Sequence, residues 1–221
     1  MCNLYSITTN QEAIRRFARA TVDRTGNLPR LPGVFPDQMA PVVGRDASGN
    51  RVLDLLRWGL PGPKATGEAP VTNVRNTASP HWRRWLGVSH RCLVPANSFC
   101  EYEDTKPRKT PTWFALDEER PLFAFAGLWT QWTGTRGPKS DPVEGRHRLF
   151  AFLTTDANAE VKPVHPKAMP VILTEPEQMD LWLEGDWEEA KALQRPLPDG
   201  TLKIVARGER KDEGTGGEDG S

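Results

Sequence analysis

The chain has 221 residues, with 29 basic and 29 acidic side chains, so its formal net charge is zero and its pI is near neutral. This balance argues against a protein that coats nucleic acid through bulk charge, although a local basic groove is compatible with it. The length suits one large domain or two small ones, and the content of Trp and Phe favours a packed globular core.

The cysteines argue against a disulfide-bonded scaffold and against a zinc site of the Cys-x-x-Cys type. Cys2, Cys92 and Cys100 cannot pair completely, and none has the Cys-x-x-Cys spacing of a zinc site. We therefore expect no metal and no cofactor.

No charged segment followed by an apolar run opens the chain, and no stretch approaches the ~18 apolar residues of a membrane span. The sequence predicts a reduced, cytoplasmic protein without a membrane segment.

The first segment of the chain combines a short strand with a helix signal. Residues 2–7 alternate in the manner of a β-strand, and Thr9-Asn10-Gln11-Glu12 has the pattern of a capping box. Apolar residues then recur at helical spacing, which predicts a helix over about 10–20. Such a helix would anchor the preceding strand.

The rest of the chain consists of predicted short strands, separated by turns and a few helices. Runs rich in branched and aromatic residues predict the strands, and Ser-Pro, Thr-x-x-Glu and Asp-x-x-Glu patterns mark helix starts. The predicted strands are 42–43, 52–58, 92–95, 98–102, 112–116, 122–129, 148–154, 169–173 and 202–206. The predicted helices are 81–86, one ending near 184 and one starting at 186, and a short helical turn is predicted at 156–162.

The order of these elements predicts the fold class. Strands outnumber helices and often follow one another through short turns, and we find no internal repeat and no strong linker. We therefore predict one α+β domain over residues 1–206, with a mostly antiparallel, β-barrel-like core flanked by short helices. Residues 207–221 are dominated by Gly, Glu, Asp and Lys without apolar periodicity, which predicts a disordered tail.

The pair Met1-Cys2 allows an unusual covalent chemistry. Removal of Met1 would give Cys2 a free α-amine and a thiol on adjacent carbons. An α-amine has a pKa of about 7.7–8.0, so much more of it is neutral near pH 7 than for a lysine. Such an aminothiol condenses with an aldehyde to an imine, and the thiol then closes a thiazolidine ring. From Met-Cys alone, an incidental cysteine at a frayed terminus is the better interpretation.

Four ordered stretches change that interpretation. Together they resemble the SRAP family, the abasic-site-processing proteins that are also called SOS-response-associated peptidases. The stretches are Met1-Cys2, then Trp58-Gly59 with Thr72-Asn73-Val74-Arg75, then Cys92-Leu93-Val94-Pro95-Ala96-Asn97-Ser98-Phe99-Cys100-Glu101-Tyr102, and finally Val164-His165 with Met169-Pro170-Val171-Ile172-Leu173.

The resemblance implies a single α+β domain with a barrel-like core and a groove for single-stranded DNA. It implies that Cys2, after loss of Met1, forms a thiazolidine with the ring-opened aldehyde of an abasic site. The product is a DNA–protein crosslink that shields the lesion. The resemblance also implies a possible self-catalysed removal of Met1 and an activity of the abasic-site lyase type. The expected partner is single-stranded DNA containing abasic sites, bound by a monomer that joins the nucleoid when on DNA.

The resemblance also assigns catalytic residues. Cys2 matches the family's nucleophile and Asn73 the asparagine against the terminal amine, while Glu101 matches the catalytic carboxylate and His165 the catalytic histidine. A buried carboxyl can act as acid and base, and a histidine can carry protons during opening of the sugar ring. Each residue also has a structural interpretation. Glu101 could face solvent on a strand, Asn73 could serve a turn, and His165 could be a structural histidine.

The DNA contacts are less well supported. Arg75 matches an arginine of the groove but could equally form a surface ion pair. Trp58, Pro41 and Lys167 are further candidates for the groove, with Trp58 in the core as the alternative. Three departures from the family pattern concern DNA binding. They are Asn3-Leu4 where Gly-Arg is common, Pro61-Gly62-Pro63-Lys64 in place of a tryptophan-rich loop, and one extra residue in His165-Pro166-Lys167-Ala168-Met169-Pro170.

Two other functions remain open at this point. One is a cysteine hydrolase, with Cys2 and His165 as a thiol protease pair or with Cys2 as an N-terminal nucleophile. The other is a non-covalent DNA-binding module in which Cys2 is passive. Mixing the protein with abasic single-stranded DNA separates the three functions, because only the crosslinking function yields an adduct at Cys2.

Overall fold

The structure is a computed structural model, which describes residues 2–214. Most of this part of the chain is β-structure. The strands are β1 (Tyr5–Ile7), β2 (Val22–Asp23), β3 (Leu31–Val34), β4 (Met39–Arg45), β5 (Arg51–Trp58), β6 (Leu60–Pro61), β7 (Pro70–Val71), β8 (Asn73–Val74), β9 (Arg91–Ala96), β10 (Ser98–Glu103), β11 (Thr110–Ala115), β12 (Phe123–Arg136), β13 (Val143–Thr155), β14 (Met169–Pro170), β15 (Ile172–Leu173) and β16 (Lys203–Arg207).

Short helices lie between these strands. The α-helices are α1 (Gln11–Ala18), α2 (Pro80–Arg83), α3 (Pro176–Glu184) and α4 (Trp187–Ala190), and 3-10 turns occupy Lys64–Thr66, Val88–His90 and Lys191–Leu193. Helix α1 begins one residue later than the predicted capping box, since Asn10 accepts from the Ala13 amide at 2.9 Å. None of the helices in the described residues is long and apolar enough to cross a membrane.

A closed barrel forms the centre of the molecule. Strands β13, β12, β9, β4 and β5 follow one another in antiparallel pairs, and β5 returns to pair in parallel with β13 through Phe150 and Trp58. Closing the ring leaves no free edge in this part of the sheet. The predicted α+β fold with a mostly antiparallel, barrel-like core is therefore confirmed.

A second sheet packs beside the barrel and carries the start of the chain. Its strand order is β16-β11-β10-β1-β3, and all of its pairs are antiparallel. Strand β1 lies between β10 and β3, so that Tyr5 stands opposite both Phe99 and Val34. Because β1 has a partner on each side, the segment next to Cys2 is held within the fold.

Aromatic rings join the barrel to this second sheet. The ring of Tyr5 meets Trp58 and Phe125 edge-on, with centroids 5.1 and 5.6 Å apart, and Phe99 stacks on Phe114. Phe152 stacks on Phe125 from within the barrel. Each such pair contributes about 0.5–1.5 kcal/mol beyond the area that it buries. The face of the second sheet that carries Tyr5 and Phe99 is called its inner face below, and the opposite face its outer face.

The structure differs from the predicted elements at three places. The short helical turn predicted at 156–162 lies further along the chain, as turns over 159–164, and the strand predicted at 169–173 is split into β14 and β15 around Val171. The third difference concerns the predicted disordered tail, 207–221. Its first part ends β16 and then packs on the outer face of the second sheet, where Asp212 is only 4% exposed. The remaining residues of that prediction, 215–221, lie outside the described part.

Candidate active site

Cys2 lies where the barrel meets the second sheet. It is fully buried, and its thiol donates to the carbonyl of Leu4 at 3.4 Å. The side-chain nitrogen of Asn73 donates to the carbonyl of Cys2 at 2.7 Å. Asn73 belongs to β8, which pairs in parallel with β13 of the barrel. A strand attached to the barrel therefore fixes the backbone at the predicted nucleophile.

Asn73 is placed by its own hydrogen bonds. It is buried, and its Nδ2 is also 2.8 Å from Thr72 Oγ1, which in turn donates to Asn3 Oδ1 at 2.8 Å. No donor among residues 2–214 reaches the buried Asn73 Oδ1. This oxygen is an acceptor beside the backbone of Cys2, in keeping with the predicted position of Asn73 near the amine.

Glu101 is the buried carboxyl of the site. It follows Phe99 by two residues on β10, so it lies on the inner face, and it is 2% exposed. Burial raises the pKa of the Glu101 carboxyl to about 7. The alternative that Glu101 is a solvent-facing strand residue is therefore wrong. A carboxyl with this pKa exchanges its proton near neutral pH, as a general acid and base requires.

His165 lies beside Glu101. Its Nδ1 is 3.9 Å from Glu101 Oε2 and forms a 2.8 Å hydrogen bond with the carbonyl of Ala168. A carbonyl only accepts, so Nδ1 carries the hydrogen and Nε2 is the basic nitrogen of the neutral ring. Partial burial lowers the pKa of His165, and the positive charges of Lys167 and Lys109 lower it further. The imidazole is thus neutral at pH 7.

The thiol of Cys2 is held in its protonated form. Burial raises the pKa of Cys2 well above the ordinary value of 9.0, and the negative charge of Glu101 raises it further. A thiol in this state is a poor nucleophile until a base takes its proton. Glu101 is the titrating carboxyl whose charge acts on Cys2, so the protonation state of Glu101 affects the pKa of the thiol.

The four predicted catalytic residues therefore come together, although 163 positions separate the first from the last. Cys2, Asn73, Glu101 and His165 occupy one junction between the barrel and the second sheet. No group of three or more His, Cys, Asp or Glu side chains that could hold a metal ion occurs in residues 2–214. The groups at this junction are a thiol, a carboxyl and an imidazole, and loss of Met1 would add the amine of Cys2.

Two of the predicted DNA contacts belong to the core instead. Trp58 is fully buried among aromatic rings, and its indole nitrogen donates to the carbonyl of Thr72 at 3.0 Å. Pro41 is buried within β4 of the barrel. Because both rings are buried, neither can offer a face to a DNA base. The prediction that Trp58 and Pro41 line the DNA groove is therefore wrong. Trp58 acts on the site indirectly, because it fixes the segment that precedes Asn73.

The charged candidates lie at the surface. Lys167 is exposed, and its charge acts on His165. Arg75 is 46% exposed and pairs with the exposed Asp156 at 2.5 Å, as in the alternative of a surface ion pair. The structure adds Lys109, an exposed residue of the β10–β11 loop whose charge also acts on His165. The basic run Lys106-Pro107-Arg108-Lys109 is the sequence signal that could have indicated it.

The departure at Asn3-Leu4 has a structural explanation. Asn3 is tied to Thr72, and Leu4 is fully buried on the outer face with Cys100 and Trp113. Position 4 therefore belongs to packing in this chain, and Leu4 cannot take the role of the arginine that the resemblance implied.

The fold and site define a barrel protein with a cysteine site at the start of the chain. The family described as SOS response associated peptidase (SRAP) matches residues 1–207, and this chain belongs to that family. It is 36% identical to the abasic site processing protein YoqW of Bacillus subtilis strain 168 over 171 aligned residues. These residues cover 74% of this chain and 71% of YoqW. It is 37% identical to YoaM of the same strain, also called an abasic site processing protein, over 160 aligned residues. These residues cover 68% of this chain and 64% of YoaM.

A solved structure supports the fold. A crystal structure of a protein from Bordetella bronchiseptica superimposes with a TM-score of 0.71 at 22% identity, covering 94% of this chain and 98% of that protein. At this identity the likeness concerns the fold alone.

Proposed function

We propose that this protein binds single-stranded DNA and forms a thiazolidine crosslink between Cys2 and the aldehyde of an abasic site, after removal of Met1. The observation that carries the proposal is the junction at which Cys2 meets a buried carboxyl of pKa about 7 and a neutral histidine. Membership of the SRAP family and the printed names of YoqW and YoaM support the choice of substrate. Met1 itself lies outside the described residues.

The first step uses the amine of Cys2. The neutral amine attacks the aldehyde carbon and gives a carbinolamine, whose hydroxyl leaves as water when it receives a proton. Glu101 is the donor, because its raised pKa keeps a large fraction of the carboxyl protonated near pH 7. Asn73 orients the backbone of Cys2, and its buried Oδ1 is an acceptor for the amine hydrogens. The product is an iminium ion and a Glu101 carboxylate.

The second step uses the thiol. The Glu101 carboxylate takes the proton of the Cys2 thiol, and the sulfur adds to the carbon of the iminium ion to close the five-membered ring. The nitrogen remains in the ring as a secondary amine. The overall reaction consumes one aldehyde and one aminothiol and releases one water. Glu101 serves first as the acid and then as the base. Its carboxyl therefore ends the reaction protonated, as it began.

We assign His165 to the sugar side of the reaction. An abasic sugar reacts as the open-chain aldehyde, so a proton must leave its anomeric hydroxyl and another must reach the ring oxygen. The neutral imidazole can accept at Nε2 while Nδ1 stays bound to Ala168. The same transfers run in reverse when the adduct is released. We therefore expect His165→Ala to slow ring opening or adduct release more than it lowers the final yield of adduct.

The mechanism favours crosslinking over a cysteine hydrolase. Thiol proteases use a thiolate whose pKa is lowered by a charged histidine. In this chain burial raises the pKa of Cys2 and lowers that of His165, so neither half of a thiolate–imidazolium pair is favoured. Attack by an amine, with the thiol as second nucleophile, needs no thiolate at the outset.

Intact-protein mass spectrometry tests the proposal. The protein is mixed with a single-stranded oligonucleotide containing one abasic site, and with the same oligonucleotide without it. We expect mature protein that begins at Cys2, and a heat-stable adduct of protein plus oligonucleotide minus one water on the abasic strand only. Cys92→Ala is the matched control, since Cys92 is buried in the barrel and should leave the adduct unchanged. Cleavage of peptide substrates without an adduct would support a hydrolase, and binding without either product would support a non-covalent module.

A further inference from the structure

The residues after β16 form a strap across the outer face of the second sheet. The strap is residues 208–214, the described part of the chain beyond the 1–207 match to the SRAP family. Gly208 donates to the carbonyl of Pro111 on β11 at 2.8 Å, and the carbonyl of Glu209 accepts from the Trp113 indole at 2.8 Å. At the other side, the Asp212 amide donates to Pro32 on β3 at 2.9 Å. The strap therefore crosses β10 and β1, which lie between those strands.

Asp212 attaches the strap to β1, the strand that follows Cys2, and to β10, the strand that carries Glu101. Its carboxylate accepts from Ser98 Oγ on β10 at 2.6 Å, and its carbonyl accepts from Ser6 Oγ on β1 at 3.0 Å. Ser6 and Ser98 stand directly opposite each other in the β1–β10 pair, and both are fully buried. Arg120 donates to the same carboxylate at 2.9 Å and balances its charge. One residue thus holds a facing pair on two adjacent strands.

The same pair of strands positions the reacting groups. Cys2 lies just before β1, four residues ahead of Ser6, and Glu101 follows Ser98 by three residues on β10. Strand β1 has only three residues, and its pairing with β10 consists of two registered positions. A ladder this short makes few hydrogen bonds, so contacts outside the ladder add to what fixes β1 against β10. A displacement of β1 along β10 would separate the thiol from the carboxyl.

We propose that the strap, through Asp212, fixes the position of Cys2 relative to Glu101, so that Asp212 is a positioning residue for the crosslinking reaction. This inference rests on the proposed function. The strap also covers the outer-face cluster of Leu4, Cys100 and Trp113, so a purely stabilising role is the alternative. The two roles differ in whether a folded variant still reacts at the rate of the unchanged protein.

Three variants of the full chain separate these roles. Asp212→Ala removes the acceptor for Ser98 and the partner of Arg120. Asp212→Asn keeps an acceptor oxygen for Ser98 and the carbonyl for Ser6, but it loses the charge opposite Arg120. The double variant Ser6→Ala/Ser98→Ala removes both serine donors and leaves the pair of Asp212 and Arg120 in place. Glu213→Ala is the control, since the side chain of Glu213 is exposed on the same strap.

The first measurement is the first-order rate of adduct formation at saturating abasic single-stranded DNA, well below the unfolding temperature, together with the affinity for the unmodified strand. We expect Asp212→Ala and the double serine variant to react roughly ten- to a hundredfold more slowly, because small displacements of reacting groups have effects of this size. DNA affinity should be unchanged. Asp212→Asn should lower the unfolding temperature yet keep most of the rate, and Glu213→Ala should change neither.

The second measurement does not depend on crosslinking. The amides of Asn97 and Cys100 donate to the carbonyls of Ser6 and Leu4 on β1. If Asp212 holds β1 against β10, hydrogen exchange at these two amides accelerates in Asp212→Ala and stays slow in Asp212→Asn. Unchanged exchange, or folded Asp212→Ala that crosslinks at the original rate, would overturn the inference. Failure of the unchanged protein to form any adduct would instead overturn the proposed function.

Discussion

Two buried carboxylates of opposite kinds lie on the two sides of β10, one from β10 itself and one from the strap. On the inner face, Glu101 lies against the barrel beside His165, and burial raises its pKa to about 7. On the outer face, the carboxylate of Asp212 accepts from Ser98 and lies in an ion pair with Arg120 at 2.9 Å. One carboxyl is placed where its charged form is costly, and the other where its charged form is compensated.

Under the two proposals above, one short strand serves both chemistry and position. A catalytic acid and base must exchange a proton at working pH, which requires an environment that disfavours the carboxylate. A residue that holds two strands together needs acceptor oxygens that stay bonded to fixed donors, as Asp212 has at Ser6 and Ser98. The alternation of side chains across a strand allows both environments within six residues of β10.

The largest expected effect is at Cys2. Cys2→Ala removes the thiol and should abolish the heat-stable adduct, while non-covalent binding to single-stranded DNA stays nearly intact because the surface charges are unchanged. Gel electrophoresis after heating measures the adduct, and fluorescence anisotropy measures binding. A heat-stable adduct formed by Cys2→Ala would show that another nucleophile is responsible.

The next effect concerns the proton carried by Glu101. Glu101→Gln keeps the shape of the side chain and removes the titrating group, so crosslinking should slow by about 10²–10⁴-fold with little change in DNA affinity. Single-turnover rates across pH 5–9 measure this. The matched control is Glu103→Gln, which alters the next inner-face carboxyl of β10, one that pairs with Arg207. Crosslinking by Glu101→Gln at the original rate would leave His165 as the proton carrier.

On the outer face, the expected effect is on stability. Asp212→Ala leaves Arg120 without its buried partner, so the free energy of unfolding should fall by about 3–5 kcal/mol. Glu213→Ala should change it by less than about 0.5 kcal/mol, since that side chain is exposed. Denaturant unfolding at pH 7 measures both. Equal stabilities of the two variants would contradict the view that Asp212 anchors the strap.

The pH dependence of stability should also distinguish the faces. The pKa of Glu101 is about 7 in the folded state against an ordinary 4.5, so the folded protein binds more protons between these values. Its contribution to stability therefore falls as pH rises from 4.5 through 7 and stays low above. Glu101→Gln removes this loss, and its stability relative to the unchanged protein should rise by up to about 3 kcal/mol between pH 4 and pH 8. A constant difference across this range would show that Glu101 titrates normally.

The smallest effect is at the surface, where neither carboxylate acts. Lys167 is exposed near His165, and one phosphate contact on single-stranded DNA contributes about 0.7 to the slope of log affinity against log salt. Lys167→Ala should reduce the slope by about that amount. Lys203→Ala is the control, because Lys203 lies on β16 and pairs with Glu118. With a net charge of zero, the total slope should be shallow, and a steep slope would reveal many more contacts.

Much of the fold could be predicted because its signals are local. The helix at Gln11–Ala18 follows from apolar spacing next to a capping side chain, and the hairpin of β4 and β5 follows from branched residues around an Asp-Ala-Ser-Gly-Asn turn. The barrel-like class followed from the number and order of such strands. The length of β12 and β13 did not, because their outer halves are polar residues that pair with each other and bury little.

The candidate catalytic residues could be named from the sequence, since Cys2, Asn73, Glu101 and His165 each fall in a motif of the SRAP resemblance. Their state could not. The pKa of Glu101 depends on the barrel that removes water from it, and that barrel is made of distant segments. The same burial places Trp58 and Pro41 in the core, although their residue types suit a DNA groove equally well.

Asp212 marks the clearest limit of the sequence. Its neighbours are glycines and charged residues, a composition typical of disorder, because such a segment cannot bury enough apolar surface to offset its loss of entropy. The tertiary structure supplies what the segment lacks, since Ser6, Ser98 and Arg120 converge on Asp212 from three distant positions. The sequence by itself determined the family motifs and the local elements, which depend on near neighbours. Only the tertiary structure decided which charges are buried, because burial and its compensation depend on residues far apart in the chain.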